Sequence, residues 1–354
     1  MTMLVENAIY YNDIKKVADS HLNWEKLKKK NILIAGATGM VGHALIDVLM
    51  YRNETYGDKC KVIALGRNME RAREIFGPYF ENNLFHFVSC DINNEKLDLK
   101  NIDYIIHGAS NTHPLMYAKE PVNTILTNVL GTKNLLDLAV ENQTKRFVFL
   151  SSVEVYGENR GDTEKFSEAY CGYLNCNTLR AGYPEGKRLG EALCQAYIAE
   201  HNLDIVIPRL SRIYGPTMLW NDSKAISQFI KNGVNSEDIV LKSEGNQLYS
   251  YTYVVDAAKA ILALLLEGEK GEAYNVSDEN SEITLKDLAE HIACYAGKKV
   301  IFQLPEESER KGYSTATKAL LNVEKIRTIG WNPDTEIKQG IEKTINVLKW
   351  KADK

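Results

Sequence analysis

The stretch NILIAGATGMVGHALIDVLM, residues 31–50, joins a short apolar run to a longer one through three evenly spaced glycines. The first run is typical of a buried parallel strand, and the second has the length and pattern of a helix. Gly36, Gly39 and Gly42 permit a tight turn, so that backbone N–H groups and the positive helix end approach a pyrophosphate. The stretch therefore predicts a strand-turn-helix unit that binds a dinucleotide.

Four further apolar runs extend this pattern along the chain. They are KVIALG, LFHFVSCD, IDYIIHGAS and RFVFLSS, and segments with helical periodicity lie between them. Strands that alternate with helices form a parallel sheet covered by helices. We therefore predict an α/β fold, a Rossmann-type doubly wound parallel sheet, with a smaller mixed α/β part for substrate binding at the C-terminal end.

The chain divides into three predicted regions. Residues 1–30 form an N-terminal helical extension, whose helix is expected to begin at an Asn12 or Asp13 cap. Residues 31–210 form the dinucleotide-binding domain, to which residues 245–276 return. Residues 211–354 form mainly the substrate-binding domain, because the regular alternation weakens after residue 210.

Composition excludes several classes of protein. The chain has 354 residues and a formal net charge of −4, which leaves no basic surplus for nucleic acid. No apolar run is long enough to cross a bilayer, and the N-terminus lacks a signal-peptide pattern, so we expect a cytoplasmic protein without a membrane partner. The six cysteines lack metal-ligand spacing, which predicts reduced thiols and no metal site.

The cofactor site is expected to use the turn and the ends of the next strands. After the second strand, Gly66 and Arg67 stand where NAD-binding proteins carry an acid for the ribose. Arg67, together with Arg71, would instead hold a 2′-phosphate; alternatively, both arginines are a solvated helix start. The cofactor is therefore NAD or NADP, with Arg67 favouring NADP. The predicted cofactor contacts also include Gly36, Thr38, Gly39, Met40, Val41, Gly42, Asp91 and Ile92 beside the adenine, Gly108, Ala109 and Ser110.

An ordered set of motifs carries a family resemblance. GATGMVG, HGAS, TNVLGTKNLLDLA, SSVEVYGE, YPEGK and RIYGP follow one another between about residues 31 and 350. In this order they resemble the extended short-chain dehydrogenase/reductase superfamily, in particular its nucleotide-sugar epimerases, dehydratases and decarboxylases. The resemblance implies an NAD(P)-dependent enzyme that acts on a nucleotide sugar.

The predicted catalytic residues are Ser152, Tyr183 and Lys187, with Glu154 beside them. Tyr183 and Lys187 are four residues apart and share one helix face. Lys187 is expected to lower the pKa of the phenol, so that Tyr183 takes a hydroxyl proton while Ser152 holds that hydroxyl. The resemblance also implies that Tyr183 and Lys187 contact the cofactor, and that Asn128 serves helix geometry or a proton-relay water near the lysine.

The features of the motifs favour a decarboxylase. Gly186 resembles the Tyr-x-x-Gly-Lys-Arg form of UDP-glucuronate decarboxylases, and Glu154 stands where decarboxylases and 4,6-dehydratases carry glutamate. Val153 stands where dehydratases carry an acid, which disfavours dehydration. The alternatives are a 4-epimerase, an NADPH-dependent keto-sugar reductase and a cofactor-binding regulator without chemistry; the regulator is disfavoured because the serine, tyrosine and lysine are all present.

Two positions depart from the decarboxylase pattern. Tyr249 replaces an arginine that contacts the substrate in these relatives, and Arg212 replaces an asparagine. Arg212 is interpreted as a cation for a sugar carboxylate or the diphosphate, or, alternatively, as a structural arginine paired with an acid such as Asp256. Thr112 and His113 are expected to meet the sugar from a loop above the cofactor.

The resemblance also implies a homodimer. Its expected interface is formed by the helix after Pro121 and the helix that carries Tyr183.

Overall fold

The computed structural model describes residues 3–95, 97–112, 119–303 and 316–354. The strands in chain order are β1 (Asn31–Ala35), β2 (Lys61–Gly66), β3 (Phe85–Ser89), β4 (Tyr104–His107), β5 (Arg146–Phe149), β6 (Ser151–Ser152), β7 (Ile205–Leu210), β8 (Arg212–Tyr214), β9 (Ile239–Leu241), β10 (Leu248–Tyr253), β11 (Ala273–Val276), β12 (Asp278–Thr284), β13 (Val300–Phe302) and β14 (Lys318–Ala319). The α-helices are α1 (Ala8–Ala18), α2 (Met40–Tyr56), α3 (Met69–Phe76), α4 (Pro121–Leu126), α5 (Thr132–Glu141), α6 (Gly182–His201), α7 (Ala225–Val234), α8 (Val254–Glu267), α9 (Leu285–Ala296), α10 (Glu324–Arg327) and α11 (Ile337–Ala352).

A parallel sheet forms the centre of the fold. Its strands run in the order β11-β7-β5-β4-β1-β2-β3, and the short strand β6 pairs beside β7. Ile32 and Ile34 of β1 enter the core on one face of the sheet, and Leu33 enters the core on the other face. Burial of both faces explains why these strands are apolar throughout. The predicted Rossmann-type α/β fold is confirmed.

The strand order places a crevice beside β1. The chain runs from β1 outwards to β2 and β3, and then crosses to β4 on the other side of β1. Doubly wound sheets bind ligands at such a switch point, outside the carboxyl ends of the strands. Ala35 at the end of β1 is in register with His107 at the end of β4, so the loops that follow both strands meet here.

A smaller mixed sheet lies in the C-terminal half. β10 pairs antiparallel with β12 and parallel with β14 and β8, and a separate pair joins β13 to β9. Two elements of this half join the main sheet. β11 pairs with β7, and α8 packs on the sheet, where Arg146 of β5 donates to the carbonyls of Leu264 and Leu265. The predicted domain boundaries stay a prediction.

The N-terminal helix begins earlier than predicted. Its cap is Asn7, whose side-chain oxygen accepts the N–H of Ile9 at 2.9 Å, so the predicted caps Asn12 and Asp13 lie inside the helix. Asp13 is buried and accepts hydrogen bonds from Tyr253 at 3.0 Å and from Lys343 at 2.7 Å. The cap prediction was wrong because Asp13 serves a tertiary ion pair with a residue distant in the chain.

In the described ranges, no helix is both long enough and apolar enough to span a membrane.

Candidate active site

The glycine turn between β1 and α2 has no room for side chains. Gly36 has φ +84°, and a Cβ there would lie 2.7 Å from the carbonyl carbon of Gly108. A Cβ on Gly42 would lie 2.4 Å from the carbonyl oxygen of Gly36. Gly39 caps α2 without a side-chain hydrogen bond, which leaves first-turn N–H groups available to an anion. Thr38, Met40 and Val41 are only partly buried beside this turn, which therefore fits a dinucleotide pyrophosphate.

The ends of β2 and β3 carry the other predicted cofactor residues. Arg67 follows β2 and is exposed, and its carbonyl accepts the Ser89 hydroxyl at 3.3 Å. Asn68 caps α3 by accepting the N–H of Arg71, so both arginines lie at a helix start. The Asp91 carboxylate accepts a hydrogen bond from the backbone N–H of Asn93 at 3.0 Å. The arrangement is compatible with both interpretations of Arg67.

The remaining predicted cofactor residues lie around β4. The N–H of Gly108 continues the β1–β4 pairing by donating to Ala35 at 2.9 Å, and Ala109 and Ser110 follow it at the carboxyl edge. Ile92 is buried, and its side chain occupies the space where Gly131 would carry a Cβ. This packing shows why the segment after β3 approaches the helical segment that follows α4.

Ser152, Tyr183 and Lys187 meet at the carboxyl edge of the sheet. Ser152 ends β6, close enough to the Tyr183 phenol for hydrogen bonding from its hydroxyl to lower the pKa of that phenol. Lys187 lies one turn further along α6, is buried, and donates from Nζ to the Leu150 carbonyl at 2.8 Å. The side chains thus place a hydroxyl, a phenol and an ammonium group around one point, as needed for proton transfer to and from a substrate hydroxyl.

The pKa of Tyr183 differs from the expectation. Burial raises it to about 12, the hydrogen bond from Ser152 lowers it, and the negative charge of Glu154 raises it. Nζ of Lys187 donates to the Leu150 carbonyl at 2.8 Å and lies 4.8 Å from the Phe149 ring centroid. Burial also lowers the pKa of Lys187 to about 8. A further positive charge is therefore needed to favour the phenolate, and an oxidised nicotinamide supplies one when bound.

Glu154 has a partner that sequence reasoning missed. Arg180 donates from Nη2 to its carboxylate at 2.8 Å, from the short turn that precedes α6. The charges of both residues act on the Tyr183 phenol, so the pair lies at the reaction centre. Arg180 is 26 residues from Glu154 in the chain, and no local spacing indicates the contact.

A second missed cluster lies behind the catalytic helix. Glu191 accepts from Arg209 at 2.6 Å and from the Ser151 hydroxyl at 2.6 Å, and its charge favours protonated Lys187. The spacing Tyr183, Lys187, Glu191 repeats every four residues on one helix face, and this signal was available in the sequence. The cluster joins α6 to β6 and β7.

Asn128 lies next to Gly186, in the π-helical turn Thr127–Gly131. Its Nδ2 donates to the Thr124 carbonyl at 2.9 Å, and its Oδ1 is buried without a hydrogen-bond partner among the described residues. A Cβ on Gly186 would lie 3.0 Å from the Asn128 Cβ, so Gly186 lets the two helical segments approach. The position is consistent with either role expected of Asn128.

Arg212 and Tyr249 are brought together by the smaller sheet. The Arg212 guanidinium lies 3.4 Å from the centroid of the Tyr249 ring. Asp256 accepts the backbone N–H groups of Asp334 at 3.1 Å and Thr335 at 3.0 Å, so the alternative pairing of Arg212 with Asp256 is not observed.

Thr112 is partly buried after β4, and His113 lies outside the described residues.

The sequence is similar to known proteins over most of its length. The sequence model of the NAD dependent epimerase/dehydratase family matches residues 32–277. UDP-glucuronic acid decarboxylase 5 of Arabidopsis thaliana is 30% identical over 315 residues, which cover 88% of this chain and 86% of the relative.

Solved structures show the same fold. A dTDP-glucose 4,6-dehydratase from Streptomyces venezuelae with NAD bound has a TM-score of 0.78 at 23% identity, covering 91% of this chain and 98% of the other. A UDP-glucuronic acid 4-epimerase from Bacillus cereus, in complex with UDP-glucuronic acid and NAD, has a TM-score of 0.77 at 20% identity, covering 90% and 99%. The match over most of the main sheet confirms the resemblance found in the sequence motifs, and the chain belongs to the NAD dependent epimerase/dehydratase family of enzymes.

Proposed function

We propose that the protein is a nucleotide-sugar decarboxylase of the UDP-glucuronate type, which acts through oxidation at sugar C-4. The observation that carries the proposal is that Ser152 lies within hydrogen-bonding reach of the Tyr183 phenol, with Lys187 buried one turn further along the same helix. The identity of 30% to a UDP-glucuronic acid decarboxylase over most of both chains supports the substrate class.

The residues suit an oxidation that is later reversed. A dinucleotide whose pyrophosphate lies at the turn of Gly36, Gly39 and Gly42 would supply the hydride acceptor for C-4 and, once reduced, the hydride donor. Ser152 holds the C-4 hydroxyl, and Tyr183 takes its proton as the hydride leaves, which produces a ketone at C-4. Lys187 lies one turn further along α6, where its bond to the Leu150 carbonyl ties this part of the helix to the end of β5.

A ketone at C-4 makes the next step possible. The bond between C-5 and the carboxylate breaks, carbon dioxide leaves, and the bonding electrons form an enolate with the C-4 carbonyl. Protonation at C-5 restores the ketone, and Tyr183 returns its proton to the oxygen when C-4 is reduced. Glu154, held by Arg180, lies near enough for its charge to act on Tyr183 and is the candidate to pass a solvent proton to C-5.

We further propose that Arg67 extends cofactor use to NADP. It is exposed directly after β2, where the chain Gly66-Arg67-Asn68 offers no carboxylate to a ribose hydroxyl. A guanidinium at this position can donate two parallel hydrogen bonds to the oxygens of a phosphate.

The cytoplasm stays the predicted compartment. The six cysteines are free, which fits a reducing environment.

A product assay tests the function. Purified protein is incubated with a panel of nucleotide sugars, UDP-glucuronic acid included, each with NAD or NADPH, and the products are analysed by mass spectrometry. We expect loss of carbon dioxide from UDP-glucuronic acid. Unchanged mass with a new chromatographic peak would contradict decarboxylation in favour of epimerisation, and a gain of two hydrogens by a keto sugar with NADPH would indicate a reductase.

We also propose that the protein is a homodimer joined through α4 and α6. Apolar side chains stay exposed there, with Val122 66% and Leu189 48% accessible, and Ile125 packs beside Gly182 to join the two helices. Such a continuous apolar surface is typical of an interface. We expect light scattering after size exclusion to give a mass of about twice the 40.0 kDa of one chain. The Val122→Glu substitution should lower the measured mass towards that of one chain.

Ile301→Glu on β13 is the matched control, since Ile301 is 46% accessible and lies on a different surface. A wild-type mass of one chain would refute the dimer.

A further inference from the structure

Arg212 is positioned by the strand that supports Ser152. Ser152 of β6 is in register with Leu210 of β7, and Arg212 begins β8 two residues later. Two residues of strand span about 7 Å, close to the size of a sugar ring with its substituents. β8 also pairs with β10, where Arg212 is in register with Tyr251. Arg212 therefore lies where the chain leaves the reaction centre for the smaller sheet.

Tyr249 fixes the plane of the Arg212 guanidinium. The Tyr249 hydroxyl donates to the Ala316 carbonyl at 2.6 Å, and only 5% of the residue is accessible. The guanidinium stacks on this immobile ring at 3.4 Å from its centroid. Stacking occupies one face of the guanidinium and leaves its in-plane N–H groups for a ligand.

Those N–H groups are not used by the described part of the protein. Nη1 of Arg212 is buried and has no hydrogen-bond partner there, and no carboxylate among the described residues pairs with the side chain. Other arginines of similar burial do have such partners: Arg209 is paired with Glu191, and Arg146 with Asp204. A partly buried cation without a partner is unfavourable, so a bound anion would stabilise it.

The acid that the sequence offered as a partner for Arg212 is used elsewhere. Asp256 accepts two backbone N–H groups. The positive charge of Arg212 is therefore available to the substrate. The planar guanidinium can donate two parallel hydrogen bonds to the two oxygens of one carboxylate.

We propose that Arg212, held by Tyr249, binds the carboxylate of a sugar acid and selects nucleotide-linked uronic acids over neutral nucleotide sugars. The inference rests on the proposed function, because Ser152 and Tyr183 must hold the C-4 hydroxyl for the carboxylate on C-5 to face Arg212. It makes Arg212 a specificity-determining residue.

Calorimetric titration of the full chain with UDP-glucuronic acid, UDP-glucose and UDP tests the proposal. We expect Arg212→Met to weaken the binding of UDP-glucuronic acid by about 10- to 100-fold, because one charge-assisted bidentate contact is lost. The affinities for UDP-glucose and UDP should change by less than about threefold, because these ligands carry no carboxylate. Arg212→Lys, which keeps the charge without the fork, should give an intermediate loss of UDP-glucuronic acid affinity and covers the case in which the methionine variant does not fold.

The matched control is Arg160→Met. Arg160 also stacks on a tyrosine, 4.0 Å from the centroid of the Tyr173 ring, but its side chain is exposed and pairs with Glu158. We expect no selective loss of UDP-glucuronic acid affinity in this variant.

Three outcomes would overturn the proposal. Equal weakening of all three ligands by Arg212→Met would assign Arg212 to the diphosphate, and no weakening would make it structural; both leave the proposed function intact. A wild-type protein that binds none of the three ligands would overturn the proposed function together with this inference.

Discussion

A Tyr183→Phe variant loses turnover by about 10²- to 10⁴-fold, while its fold and its affinity for the cofactor stay close to those of the wild type. In the proposed mechanism the phenol accepts the C-4 hydroxyl proton, and phenylalanine keeps the buried ring but lacks the oxygen. Steady-state product formation and cofactor titration of the same preparations measure the two effects.

Tyr197→Phe is the matched control for this variant. Tyr197 lies on the same helix, and its hydroxyl bonds to Asp137 rather than to a residue of the reaction centre. We expect its turnover to stay within about threefold of wild type, as for a surface substitution away from the site. Full turnover in Tyr183→Phe would show that another group transfers the proton.

A Gly36→Ala variant binds the dinucleotide about 10- to 100-fold more weakly, because backbone strain of a few kcal/mol falls on the turn that approaches the pyrophosphate. The residue has φ +84°, and the new Cβ would meet the Gly108 carbonyl carbon at 2.7 Å and the Ala109 nitrogen at 2.8 Å. These contacts are with backbone, so the turn or the end of β4 has to move. Fluorescence titration with NADH measures the affinity.

Gly57→Ala separates crowding from backbone strain. Gly57 also has positive φ, at +65°, but a Cβ there has no atom within 4 Å, and the residue ends α2 far from the turn. We expect a loss of stability of about 1 kcal/mol with unchanged cofactor affinity. If Gly36→Ala and Gly57→Ala bind NADH equally well, the glycine turn does not hold the cofactor.

Local patterns predicted the main sheet correctly. The runs quoted from the sequence became β1 to β5 because a strand buried on both faces is apolar at successive positions, and this signal needs no knowledge of distant residues. The N-terminal cap is a feature that local patterns did not predict. Asn12 and Asp13 have the right chemistry for a cap, but Lys343 and Tyr253 bind Asp13, and neither is near it in the sequence.

The candidate site was predictable only in part. The spacing of Tyr183 and Lys187 and the position of Ser152 indicated the group that the structure brings together. The pKa of Tyr183 was not predictable, because it depends on burial and on the charges of Glu154 and Arg180 in the folded chain. The partner of Glu154 was not predictable either, since Arg180 reaches it across a loop.

The sequence by itself determined the alternation of strands and helices, the glycine turn and the family. These features depend on residues that are close in the chain, so periodicity and spacing reveal them. Only the tertiary structure decided which charges meet: Arg180 with Glu154, Glu191 with Arg209, and Arg212 with the Tyr249 ring. Such pairs join separate strands and helices, and both their geometry and their strength depend on burial, which exists only in the folded chain.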